Sequence, residues 1–322
     1  MRHEIFVTAL AAGLTFAALP VLAQTYPTSP VHMIVAYSPG GTGDTVARIV
    51  APKLQIALGQ SVVVENRAGA SGAIGARSVA TAMPDGLTLL VGQTAEVAIN
   101  QHWLKGLNYD PDKDLQAVAM LAVVPLALAV PAKAPYSTMA EFMAALRTGK
   151  LTFASAGIGT PGHFAGEFLK AKTHGDLTHV PYKGAGPALN DLVGGHVDFY
   201  FPGMPAVMPM LKGGLLKVFA VSSAKRSPIA PDVPTVAESA GIKDFDFTLW
   251  AGVFAPRGTP PAIVARLNSE INKVLEDHVT RKKLVDAGAD VEPMSVAQFR
   301  AFVDAESRKY ARIIKETGVH AE

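Results

Sequence analysis

VHMIVAYSPGGTGD (residues 31–44) decides how the rest of the chain is read. Its apolar opening has the composition of a buried strand. It ends in Ser38-Pro39-Gly40-Gly41-Thr42-Gly43 before a helical pattern opens at Asp44. The glycines let the backbone take positive φ and bring several N–H groups close to a ligand. The helix behind them adds the positive end of its dipole, so the turn suits an anion such as a carboxylate or a phosphate. The same residues also make an ordinary strand-to-helix turn with Asp44 as N-cap, and this stretch alone leaves both readings open.

Outward from this turn the alternation repeats. A helix over 44–58, with Pro52 expected to kink or shorten it and Gly59 stopping it, leads to the β-branched strand SVVVE at 61–65. NRAGASGAIG (66–75) is a second Gly-rich turn into a helix over 73–82, and Pro84-Asp85-Gly86 turns the chain into a strand at 87–92. The β-α-β-α-β order implies an open parallel sheet with its functional crevice at the carboxyl ends of the strands. The 38–44 turn and Gln93-Thr94-Ala95-Glu96 both fall at such ends.

AVAMLAVVPLALAV (117–130), broken by Pro125, reads as a strand that leaves this sheet for a second one. There Thr138 and Glu141 form a capping box, and LTFAS (151–155) is a strand. AGIGTPGH (156–163) then repeats the opening theme: glycines, Thr160 as N-cap, and a proline at N1 of a helix over 161–172. Strands follow at 179–182, 197–201 and 216–221, with a helix running to 193 and a turn and short helix in 232–241. FTLWAGVFA (247–255) is the return crossing. Thr259-Pro260 caps a long helix to about Glu276, a second continues over 278–288, and Ser295 with Gln298 caps a last helix ending near Gly318. Two crossings between two α/β units describe a hinged clamshell, domain 1 at 24–124 plus 248–322 and domain 2 at 125–247.

The start of the chain sets the compartment. Arg2 precedes an apolar run over 5–19, shorter than the roughly 20 residues of a bilayer span. Pro20 and the small residues at Val21 and Ala23 then complete a cleavable export signal over 1–23, with the cut near Ala23. The mature chain of about 299 residues keeps the formal charge of +2, since the signal holds one Arg and one Glu. No Lys/Arg cluster with interleaved aromatics is present, which argues against nucleic acid as a partner. With no cysteine there is no disulfide and no thiolate chemistry, and an exported chain of this kind fits a bacterial periplasm.

The signatures of catalysis are missing. No G-x-S-x-G elbow exists, Ser155 sits in ASAG, no Walker lysine follows Gly40–Gly43, and the glycine spacing fails the dinucleotide fingerprint. The nine histidines are scattered with no H-x-x-x-H, so neither a metal nor a cofactor is expected. His163 is a candidate for ligand contact or for bracing its loop. Trp250 reads either as a cleft wall or as an anchor at the crossing, Asp198 as a brace, and Lys183 as a rim residue.

YSPGGTGD (37–44), ENRAGASGAIG (65–75), PDGLTLL (84–90), YDPDKDL (109–115), SAGIGTPGH (155–163), VPYKG (180–184), PDVPT (231–235) and APRGTP (255–260) occur in that order. This ordered set resembles the Bug (TctC-like) family of periplasmic solute-binding proteins of tripartite tricarboxylate transporters, over essentially the whole mature chain. The resemblance implies a two-domain periplasmic-binding-protein fold (Venus-flytrap, type II-like) with two crossing strands at the hinge. It implies a monomeric receptor that takes a small organic carboxylate to membrane permease subunits.

Site residues follow from the matching loops: Tyr37, Ser38, Pro39, Gly40, Gly41, Thr42 and Asp44 on the first. Gln93 and Thr94 stand beside it. Ser155, Ala156, Gly157, Gly159, Thr160 and His163 face them, with Tyr200 and Pro202 at a further strand end. Asp44 is expected to fix its loop rather than meet the anion. Many relatives carry Asp-Asn where this chain has Pro202-Gly203, which favours a carboxylate without an amino group, an aromatic one given Tyr200, Phe201 and Trp250. The competing readings are a periplasmic co-receptor for a signalling kinase and an enzyme on the same scaffold.

Overall fold

The computed structural model describes residues 26–317, so the signal read over 1–23 and the chain end at Gly318 lie outside the described residues. Two five-stranded sheets each carry their own core. β1 (Val31–Val35), α1 (Thr42–Leu58), β2 (Val62–Asn66), α2 (Ala73–Ala80) and β3 (Thr88–Gln93) begin the first lobe. A single wide π-helical turn, Ala95–Ile99, then runs into α3 (Asn100–Trp103), and α4 (Pro111–Asp114) precedes β4 (Leu115–Pro125).

The second lobe holds β5 (Ala127–Pro131), α5 (Met139–Thr148), β6 (Lys150–Ser155), α6 (Pro161–Thr173), β7 (Asp176–Pro181) and α7 (Ala185–Gly194). It continues with β8 (Phe199–Tyr200), α8 (Met204–Lys212), β9 (Leu216–Val221) and α9 (Val236–Ala240). β10 (Thr248–Pro256) returns to the first sheet, followed by α10 (Pro261–Glu276), α11 (His278–Asp286) and α12 (Val296–Thr317).

The strand orders are β2-β1-β3-β10-β4 and β7-β6-β8-β5-β9. The sheets are mixed rather than wholly parallel: β10 runs antiparallel to β3 and β4, and β5 antiparallel to β8 and β9. In each sheet the antiparallel strand is the fourth one, entered directly from a crossing between lobes. That order leaves the carboxyl ends of β1, β3, β6 and β8 facing the gap, each followed by a loop into a helix.

Two local expectations are corrected. Helix α1 starts at Thr42, and its N-cap is Gly41 in an extended conformation (φ −80°, ψ 173°), not Asp44. Pro52 does not shorten it; the residue is exposed, so water can take the carbonyl that its missing N–H abandons. The crossing at Pro125 and the capping box of Thr138 and Glu141 are as the sequence predicts. The lobes also interlock: Ile99 and Trp103, and Tyr310 of α12, pack into the core of the second lobe.

Candidate functional site

Four helices begin at the gap between the lobes: α1 from the first lobe and α6, α7 and α8 from the second. Their N-caps are Gly41, Thr160, Gly184 and Gly203, and none makes a side-chain cap hydrogen bond. The first N–H groups of each helix have no partner inside it, so four positive dipole ends converge on one space. The space is an inner cavity of about 30 Å³ lined by Tyr37, Gly41, Thr42, Gln93, Ala95, Leu126, Ala156, Thr160, Pro161, Gly162, Ala185, Tyr200, Phe201, Gly203 and Leu249. None of these carries a charge. A wider outer chamber of about 330 Å³ adjoins it past Tyr37 and Ala156 and has Lys183 on its wall.

The lobes meet around this space. Ser38 Oγ donates to the Lys183 carbonyl at 2.9 Å, Ser71 Oγ to the Ile158 carbonyl at 2.6 Å, and Lys212 Nζ to the Asp286 carbonyl at 3.1 Å. Gly186 approaches so closely that a Cβ there would sit 2.3 Å from the Pro39 carbonyl oxygen. The molecule is therefore in a closed arrangement.

Of the residues expected from sequence, Tyr37, Gly41, Thr42, Gln93, Ala156, Thr160 and Tyr200 line the inner cavity, and Gly157 lines the outer chamber. The others hold the loops. Asp44 Oδ2 accepts from Gly40 N–H (3.0 Å), and Oδ1 accepts from Arg48 (2.9 Å) and Asn66 (3.0 Å). Burial pushes its carboxyl up, but these bonds outweigh burial and hold it below the usual carboxylate range. Pro39 and Gly40 sit at the lobe contact with Gly186. Thr94 Oγ1 accepts from Trp250 N–H at 3.2 Å, and the Pro202 carbonyl accepts from Ala127 N–H at 2.8 Å.

His163 braces rather than lines: its Nδ1 accepts from Gly159 N–H at 3.1 Å, and burial pushes the imidazole down to about 4. Gly159 packs against Trp103. Ser155 is fully buried, with Oγ 2.9 Å from the Gly157 carbonyl and 2.7 Å from His179 Nε2. Burial, then His163 and Lys170, push His179 down to about 3. Asp198 braces Thr152, accepting from its N–H (2.7 Å) and hydroxyl (2.9 Å).

Trp250 is an anchor and not a cleft wall. It is fully buried beside Phe254, Phe299 and Phe302, and its indole N–H donates to Glu306 Oε2 at 3.2 Å. The aromatic surface of the inner cavity is thus Tyr37, Tyr200 and Phe201, with Tyr182 in the outer chamber.

Two residues take roles at the site that the sequence reading did not give them, although it placed Glu96 in the loop 93–96 at the crevice. Ser71 forms the latch to Ile158, and Glu96 is a fully buried carboxyl directly behind Tyr37. Glu96 Oε1 accepts from Gln93 N–H (2.7 Å), Oε2 lies at hydrogen-bond distance from Tyr37 Oη (3.0 Å), and Tyr109 Oη donates to its carbonyl (2.5 Å). Burial pushes this carboxyl up to about 8, against the lowering effect of its hydrogen bonds. The one sequence signal was its place at the carboxyl end of a strand.

The sequence profile of the tripartite tricarboxylate transporter family receptors (TctC) matches residues 46–319. Protein BugT of Bordetella pertussis is 38% identical over 304 residues, covering 94% of this chain and 93% of that one. Among solved structures, an R. palustris protein with adipate is 34% identical with a TM-score of 0.88, covering 92% of this chain and 99% of its own. MatC from Rhodopseudomonas palustris with bound malate is 34% identical at 0.84, covering 90% and 100%. A Polaromonas TctC solute-binding protein with no ligand is 30% identical over 90% and 99% of the two chains, yet its TM-score is 0.63. The fold is that of the periplasmic binding proteins, and the matching family is one of receptors. By its sequence and by its architecture, the chain belongs to the TctC family of solute-binding receptors.

Proposed function

We propose that this protein captures a small organic carboxylate in the interlobe cleft and delivers it to the permease of a tripartite transporter. The observation that carries the reading is the meeting of four uncapped helix starts, from both lobes, at a cavity with no charged lining. Backbone N–H groups at helix starts hold an anion without a salt bridge, and closure strengthens each bond by excluding water. The adipate and malate of the R. palustris neighbours support a carboxylate, and the lower similarity to the ligand-free neighbour supports closure around it.

The cavity wall has no carboxylate to pair with an ammonium, and Pro202-Gly203 supplies none. This supports a ligand lacking an amino group. The inner cavity has room for a carboxylate group and little else, so the body of the ligand extends past Tyr37 into the outer chamber. The clamshell moves as residues 24–124 plus 248–322 against 125–247, with the leader over 1–23 directing the chain to the periplasm.

A thermal-shift screen of carboxylates on the chain without its leader tests the proposal. A true ligand at a hundredfold excess over its Kd raises the native-state stability by roughly 2.7 kcal/mol. Thr160→Trp, which fills the mouth of α6, should abolish the shift while the unliganded protein still unfolds cooperatively. A Thr160→Trp protein that binds as well as the parent would remove the cleft from consideration.

A further inference from the structure

Behind the Tyr37 ring a fully buried carboxyl and a backbone carbonyl share one phenol. Tyr37 Oη lies 3.0 Å from Glu96 Oε2 and 3.2 Å from the Ser71 carbonyl, in donating geometry to both. A phenol has one proton. The other donors nearby are Gln93 N–H and the Glu96 N–H to the Glu96 carboxyl, Tyr109 Oη to the Glu96 carbonyl, and Asn100 Nδ2 to the Ser71 carbonyl. A fully buried carboxyl with no cation bonded to it among the described residues keeps its proton, and that hydrogen sits on Glu96 Oε2. The acid then donates to Tyr37 Oη, and Tyr37 donates to Ser71.

What Ser71 does with that support matters for closure. Ala70 and Ser71 both have left-handed backbone (φ 47° and 51°), a conformation that persists in non-glycine residues only where neighbours hold it. From this turn Ser71 Oγ crosses the cleft to the Ile158 carbonyl at 2.6 Å, on the loop that leads into α6. A continuous line thus runs from the buried carboxyl of the first lobe, through Tyr37 and Ser71, to the second lobe.

We propose that Glu96 is a positioning residue for anion capture: as a neutral acid it donates to Tyr37, which holds Ser71 in the geometry that latches the lobes across the cleft. The titratable groups facing Glu96 are Tyr37 and Tyr109 of its own lobe, with Tyr200 reaching Tyr37 from the other lobe. No lysine, arginine or histidine among the described residues is bonded to it. Ionised, Glu96 accepts the Tyr37 O–H hydrogen bond, and the Ser71 carbonyl loses that donor. Ionised Glu96 also sets an uncompensated negative charge behind a wall built to receive a carboxylate. Ligand and proton therefore favour each other, and the coupling is reciprocal. The burial that pushes Glu96 up to about 8 keeps the proton in place at neutral pH.

This inference rests on the carboxylate-receptor reading, and its test separates the two. Adipate and malate serve as probes, titrated calorimetrically from about pH 6 to about pH 9 at constant ionic strength. Wild-type affinity should hold steady up to about pH 7 and fall roughly tenfold per unit above about pH 8, the slope of one linked proton. Glu96→Gln, whose amide donates to Tyr37 at every pH, should bind at pH 6 within a few-fold of wild type and lose the slope. Ser71→Ala, which leaves the acid untouched, should weaken binding roughly tenfold at pH 6, the order expected for losing a latch with its geometry.

A flat wild-type profile, or the same slope in Glu96→Gln, overturns the proposal, and unchanged affinity in Ser71→Ala overturns the latch. If neither adipate nor malate binds at any pH, the receptor reading passes to the wider carboxylate screen, and a ligand-free measurement still decides the proton. Infrared difference spectra of wild type should show a neutral-acid carbonyl at pH 7 that disappears above about pH 8. Its absence at pH 7 overturns the assignment.

Discussion

Thr138 and Thr160 both open helices of the second lobe, and they use their hydroxyls in opposite ways. Thr138 Oγ1 accepts from Glu141 N–H at 3.2 Å, closing a capping box on the outer surface. Thr160 Oγ1 turns away from its helix and donates to the Gly157 carbonyl at 2.7 Å. The contrast extends across the molecule. α9 has a capping box from Thr235 and Glu238, α11 is capped by Asp277, α4 by Asp110, and Gln298 N–H donates to Ser295 before α12. The four helices that start at the cleft have no such cap. Among the described residues α2, α3 and α10, whose N-caps are Gly72, Ile99 and Pro260, also lack a side-chain cap. Five helix starts away from the cleft, those of α4, α5, α9, α11 and α12, are finished by a side chain, while the four that face the cleft are left for whatever enters it.

The strongest way to break this comparison is to finish a cleft helix artificially. Gly41 has extended backbone that any residue adopts, and a Cβ there meets nothing nearer than 3.7 Å. Gly41→Asp should cap α1 and raise stability by up to about 1 kcal/mol. It should also occupy the anion site and cost more than roughly a hundredfold in adipate affinity, since a like charge within about 4 Å of the ligand carboxylate opposes it. Calorimetry and thermal unfolding read both effects; retained binding would mean that the ligand does not use the α1 N–H groups.

The buried titratable groups sharpen the comparison through pH. Glu96 sits at about 8 in the fold against 4.5 unfolded, so its contribution is complete below about 4.5 and is lost as pH rises to about 8. His163 and His179, held at about 4 and about 3 against 6.5, give stability that is complete above 6.5 and is lost as pH falls toward those values. From these three groups the maximum lies near pH 6.5 in urea melts across the range, and Glu96→Gln should flatten the limb above pH 6.5 and steepen the limb between about pH 4.5 and 6.5, where Glu96 no longer offsets the histidines. The smallest effect is at the outer cap: Thr138→Ala should cost about 1 kcal/mol in the same melts and leave adipate affinity unchanged.

What was legible in the sequence divides along the same line. Thr138 with Glu141 and Ser295 with Gln298 are read correctly because a cap is written within three residues. The Gly-rich turns at 38–43 and 156–162 announce themselves as helix starts, although the first was misplaced by reading Asp44 as the cap. Asp44 has the right chemistry for capping, but Asn66 and Arg48 draw its carboxylate into bracing Gly40. The role of Glu96 depends on Tyr37, 59 residues away, and that of Ser71 on Ile158, 87 residues away. No local pattern encodes such pairs. Trp250 looked available to a ligand until α12 supplied Phe299, Phe302 and Glu306 to enclose it.

The place of β10 between β3 and β4 fixes the order in which the chain can be completed as it is made. The second sheet has all its strands once residue 221 exists, whereas the first, begun at residue 31, stays open until residue 256. For that interval β3 and β4 present unpaired edges, the feature that invites pairing with a stranger. The half that starts synthesis is the last to mature, and whatever shields the emerging polypeptide has to protect its beginning longest.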